Sequence, residues 1–165
     1  TALGNQNLPS GKNATAVGSD NLAATETSSA FGYSNSANGP RSTAVGIDNL
    51  ASGADSSAFG KKNEASGDLS LAVGVENYAT ALGSLAVGRA NVVSGDHASA
   101  VGNNNQAQGP QSNVFGSNNI AAGTFGGIQQ DVTINTNGSI TTTGANTTVG
   151  SIALNSGTGV TLSKQ

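Results

Sequence analysis

Apolar, small and polar residues recur along the first three quarters of the chain with a period of fourteen. Gly stands at 4, 18, 32, 46, 60, 74, 88, 102 and 116, and each is followed three residues later by Asn7, Asn21, Asn35, Asn49, Asn63, Asn77, Asn91, Asn105 or Asn119. A short period without slippage means that each unit takes one shape and stacks on its neighbour. The surface of the stack, rather than a pocket, is the expected seat of function.

Slots are numbered from the residue after each Gly, with Ile47 to Gly60 as the reference unit. Slot 3 is then Asn49, slot 5 Ala51, slot 7 Gly53, slot 10 Ser56, slot 12 Ala58, slot 13 Phe59 and slot 14 Gly60. Fourteen residues suit two short strands joined by two turns, which predicts strands at slots 3 to 7 and 10 to 14. Alternation along a strand places slots 3, 5 and 7 on one face and slots 10, 12 and 14 on one face of the other.

Those faces carry small residues. Slot 12 is Ala16, Ala30, Ala44, Ala58, Ala72, Ala86 and Ala100, and slots 5 and 10 are mostly Ala and Ser. Facing one another, they form a roll interior so narrow that a Leu would force its walls apart. For the Asn at slot 3 two readings stand: amides stacked in a hydrogen-bonded ladder from coil to coil, or a turn-favouring residue at a strand entrance. Charges support the frame, since within residues 1 to 126 every charged residue but Glu64 falls at slots 1, 2, 8 or 9, which are read as turns.

Slot 13 points the other way. Val17, Phe31, Val45, Phe59, Val73, Val87, Val101 and Phe115 form an apolar row, broadened at slot 11 by Leu71 and Leu85. Burying one such side chain contributes roughly 1.5 to 3 kcal/mol, so the row is too long to leave in water. It is read as the interface of a homo-oligomer about an axis parallel to the stack, the other reading being packing against residues 127 to 165 of the same chain.

Composition narrows the classes. The chain has 165 residues, 24 Gly, four Phe, two Tyr, no Cys, Met or Trp, only 9% charged residues and a net charge of −3. A large aromatic core, disulfides and thiolate metal sites are excluded. The six Lys and Arg are dispersed, so no basic stripe is offered to nucleic acid. No run approaches the roughly 20 apolar residues of a membrane helix, so direct membrane insertion is not expected. Thr1-Ala2-Leu3-Gly4 is neither a Met start nor a signal peptide and is read as the start of an excised fragment.

Catalytic and cofactor signatures are not found. His97 is the single His and lies in a turn, which excludes a His-based triad or multi-His zinc site. The carboxylates come one at a time, and neither a calcium-binding G-G-x-G-x-D unit nor a phosphate loop is present. The chain is expected to be neither an enzyme nor a cofactor binder.

The units S-x-A-V-G at Ser42 to Gly46, Ser70 to Gly74 and Ser84 to Gly88, continued by G-x-x-N-x-A-x-G as in Gly46 to Gly53, resemble the head of bacterial trimeric autotransporter adhesins of the YadA-like type. The resemblance covers residues 1 to about 126. It implies an all-β fold, a left-handed parallel β-roll of 14-residue coils in a homotrimer. It also implies display at the cell surface, anchorage in the outer membrane by a C-terminal region outside this fragment, and adhesion to host cell-surface or extracellular-matrix proteins. Two alternatives are a non-adhesive spacer of a surface fibre and, more remotely, an ice-binding solenoid.

The register holds through Asn119, Ala121 and Gly123 and then fails, because position 130 is Gln130. Residues 1–126 are therefore read as the head repeats. Residues 127–165 are read as a short β segment, either a cap or the start of a further module, with strands around Val132/Ile134, Ile140, Ile152/Leu154 and Val160/Leu162.

Overall fold

The computed structural model describes residues 1–122 and the strand Val132–Ile134. Among them there is no helix, and every unit makes one long and one short strand, as in Ser57–Lys61 and Glu64–Ala65. Each strand pairs in parallel with its equivalent fourteen residues away: Val73 lies beside Phe59 and Val87, and Ala65 beside Ala51 and Ala79. The result is a parallel β-solenoid of 14-residue coils with a ten-stranded and a nine-stranded sheet, in which neighbouring strands come from successive coils.

Strand limits differ from the expected slots. The long strand runs from slot 11 to slot 1 of the next unit, as in Thr43–Ile47, and the short one covers only slots 4 and 5, as in Leu50–Ala51. Hydrogen bonding explains the shift. The slot 3 N–H of Asn63 donates to the Asn49 side-chain oxygen at 3.0 Å instead of to a backbone carbonyl, so the short ladder begins one residue later. It ends early because Ser52 and Gly53 both donate to the single carbonyl of Ala65, at 2.9 and 3.3 Å. Ser56 N–H closes a tight turn on Gly53 O at 3.3 Å, which keeps slot 10 out of the long strand.

The bends are left-handed backbone at slots 2 and 9. Asp48 and Asp55 have φ of 56° and 57°, but so do residues with no special liking for that region, including Lys62 at 54°, Glu76 at 57°, Leu69 at 59° and Ala90 at 54°. Such conformations disfavour residues that carry a Cβ. They persist because the stack fixes them: the Asp48 N–H donates to Tyr33 O and the Lys62 N–H to Ile47 O, each in the preceding coil.

Between the sheets lies a core of Ala, Ser and Asn. Ala16, Ala30, Ala44, Ala58, Ala72, Ala86 and Ala100 are fully buried, and the largest apolar side chains inside are Val93 and Val114. The slot 14 Gly residues do not join this interior; Gly60 and Gly116 are exposed and Gly46 half-buried. The long sheet gains a tenth strand where Phe115 pairs with Ile134, nineteen residues on rather than fourteen. The strands read around Ile140, Ile152/Leu154 and Val160/Leu162, and the division after residue 126, lie outside the described residues.

Candidate interaction surface

The Asn side chains form a continuous ladder. Asn63 Nδ2 reaches Asn49 Oδ1 at 3.0 Å, Phe59 O at 2.9 Å and Gly74 O at 2.7 Å, joining three successive coils. Its own Oδ1 accepts from the backbone N–H and side-chain amide of Asn77, at 3.1 and 3.0 Å. The pattern recurs from Asn21 to Asn105 and those amides are fully buried; Asn7, in the first coil, is half-buried, and Asn119, 5% exposed, donates to Asn105 Oδ1 and Phe115 O alone among the described residues. Buried amides saturated in this way rigidify the rod, because each unmade bond would leave a carbonyl without a partner.

With one edge of the coil fixed by the ladder and the interior filled by Ala, slot 13 has only one direction left. Val17, Val45, Val73, Val87 and Val101 are half-buried with Phe31, while Phe59 and Phe115 are exposed at 36% and 42%. In-register pairing sets them one above another, from Val17 beside Phe31 to Val101 beside Phe115. Leu71 and Leu85 stand side by side at slot 11 of the same face, both half-buried.

Slot 1 widens this face, which reading it as a turn had hidden. It is the last residue of the long strand, two beyond slot 13, and there Tyr33, Ile47 and Val75 are exposed. The signal was in the sequence: three of nine slot 1 residues are large and apolar, which a solvated turn does not require.

The short sheet has a second, interrupted apolar row at slot 4. Leu8, Tyr78, Val92 and Ile120 are exposed there, Leu22 and Leu50 are half-buried, and Tyr78 lies directly beside Val92. Ser36, Glu64 and Gln106 break the row.

Apart from Glu64, the charged residues of the coils lie at the coil edges. Arg41 donates from Nε to Asp55 Oδ1 at 2.6 Å and from its terminal nitrogen to Oδ2, one coil apart. That hydrogen bond holds the Asp55 carboxyl below its usual range and raises the guanidinium above its own. Asp68 and Asp96 accept from the N–H groups of Ala54 and Leu82 in the preceding coils. His97 lies across Gly83, where a Cβ would meet its ring. Among the described residues no three His, Cys, Asp or Glu side chains gather to hold a metal ion, and no helix is long and apolar enough to cross a membrane.

The surface is thus two flat strips and two charged edges, repeated along a rod, and it offers recognition over length. A search of curated proteins gave no match to the chain. The family model of the YadA head domain repeat, by contrast, matches in overlapping segments that run from residues 1–21 and 10–35 through to 79–105 and 94–119. Those segments cover the coils whose Gly and Asn build the ladder, and the chain therefore belongs to the YadA head family, the adhesin-like, surface-exposed heads of trimeric autotransporters.

Proposed function

We propose that three copies of this chain assemble about an axis parallel to the rod, with the slot 13 rows turned inward, and that the trimer attaches to host cell-surface or extracellular-matrix proteins. The observation that carries the assembly is the uninterrupted Val and Phe row from Val17 to Phe115, which in one chain alone remains partly in contact with water. An identical strip on a second and third copy is its natural cover, because matching rows meet along their whole length. In this reading the head is held at the bacterial outer membrane by a C-terminal region and has no catalytic or cofactor role.

The short sheet supports an adhesive role over that of a plain spacer. With the long sheets inward, slot 4 faces outward, and Tyr78 at 40% and Val92 at 38% exposure sit beside one another on it. Neighbouring exposed aromatic and aliphatic side chains on a rigid strand suit protein recognition. The test is saturable binding of the chain to host cells and immobilised matrix proteins, with a Tyr78→Ser/Val92→Ser variant of unchanged mass binding more weakly. Absence of saturable binding by the wild-type chain favours the spacer.

A further inference from the structure

Resting on the trimer just proposed, we infer that the two charged edges of the long sheet bind each other between copies, with strands level, and that this charge pattern selects a closed ring over a staggered filament. When a flat sheet turns its central row to a rotation axis, its two edges lie against its neighbours. The edge at slots 8 and 9 of one copy then meets the edge at slots 1 and 2 of the next, a head-to-tail contact that closes only if the strands are level.

Flanking residues of each long strand test the registers. Beside Thr15–Ser19 the edges carry Lys12 and Asp20; beside Thr43–Ile47, Arg41 and Asp48; beside Ser57–Lys61, Asp55 against Lys61 and Lys62. Level packing therefore opposes unlike charges on three strands and like charges on one, Asp68 and Glu76 beside Leu71–Val75.

Displacing the neighbour by one coil reverses the balance in one direction and leaves it even in the other. In one direction Glu26 meets Asp48, Arg41 meets Lys61 and Lys62, and Asp55 meets Glu76, leaving only Asp68 with Arg89 favourable. In the other, Glu26 meets Asp20 and Asp55 meets Asp48, against the favourable Asp68 with Lys61 and Lys62 and Asp96 with Arg89. Like charges in contact are a means of rejecting a wrong register.

The structure leaves these groups ready for a partner. Lys12, Asp48, Lys61 and Lys62 are exposed, and Arg41 keeps 60% of its side chain exposed while bound to Asp55. The pair inside one copy thus extends to a line of five: Asp48 of one neighbour, Arg41, Asp55, and Lys61 and Lys62 of the next level on that neighbour. On the one like-charged strand, slots 9 and 1 are Leu69 and Val75, both exposed, so that corner is closed by apolar contact.

The experiment is sedimentation equilibrium of the full chain and of Lys12→Asp, Asp20→Lys, the double swap of both, and Lys61→Glu/Lys62→Glu, each checked for fold by circular dichroism. Each reversal should raise the dissociation midpoint about tenfold at low salt and less at high salt, because exposed pairs are individually weak and screened but repeat around the ring. The double swap should return it to the wild-type value. A wild-type oligomer indifferent to all reversals, or a swap that adds the two single effects, overturns the edge contact and leaves the slot 13 assembly standing. A monomeric wild type overturns both.

Discussion

The side-chain amide of Asn63 packs 3.1 Å from where a Cβ on Gly60 would stand, and the carbonyl oxygen of Gly74, 2.1 Å away, fills that position. Gly60 also has φ of 118°, a region that L side chains rarely adopt. The Gly and the Asn three residues later are therefore one device: the missing side chain lets the amide in, and the amide ties the coil to the next.

Gly60→Ala should accordingly lower stability by at least about 2 kcal/mol, since both the backbone conformation and the contact with Gly74 must yield. Thermal unfolding followed by far-ultraviolet circular dichroism measures it. An unchanged melting temperature would show that the carbonyl of the next coil moves freely.

Asn63→Ala should cost about 2 to 4 kcal/mol, because it strands the carbonyls of Phe59 and Gly74 and the Asn77 N–H inside the roll. Asn63→Asp should be worse at neutral pH, placing a charge against carbonyl oxygens, and should recover in part on acidification. Denaturant titration at two pH values separates the variants. Equal stability of Asn63→Asp and wild type at neutral pH would mean that the ladder tolerates a missing donor.

Much of the fold is legible in these two residue types. Nine Gly at one interval fix the coil, and Ala at slot 12 fixes how thin its interior must be. The strand ends were not legible, because they depend on the slot 3 N–H turning to a side chain, which alternation does not register. Nor did Leu69, Glu76 or Ala90 announce a left-handed bend; neighbouring coils impose it. For the surface, the slot 13 row stood out as apolar residues beside each Gly, whereas Tyr33, Ile47 and Val75 were lost once slot 1 was read as a turn.

The slot 10 serines divide into two groups. Ser28 Oγ donates to Thr25 O at 2.8 Å and Ser84 Oγ to Ala81 O at 2.7 Å, while the buried hydroxyls of Ser42, Ser56, Ser70 and Ser112 have no partner among the described residues. Ser56→Ala should be neutral or stabilising and Ser28→Ala destabilising by about 1 kcal/mol. Equal losses in both would contradict the division.

Asp55 links stability to pH. Its folded pKa is lowered, chiefly by the hydrogen bond from Arg41, so its contribution is present above the unfolded carboxylate pKa and is lost as pH falls through the folded value. The wild type should lose more stability than Asp55→Asn on acidification, by a small margin because the pair is exposed. Parallel pH profiles for the two proteins would remove the pair from the account.

The solution mass of the chain and of Val73→Asp tests most directly the claim that the slot 13 row is buried between identical copies. Sedimentation equilibrium at micromolar concentration should give three chain masses for the wild type and dissociation for Val73→Asp, in which three carboxylates would crowd one axis. A folded wild-type chain at a single chain mass, or a Val73→Asp trimer as stable as the wild type, would contradict it.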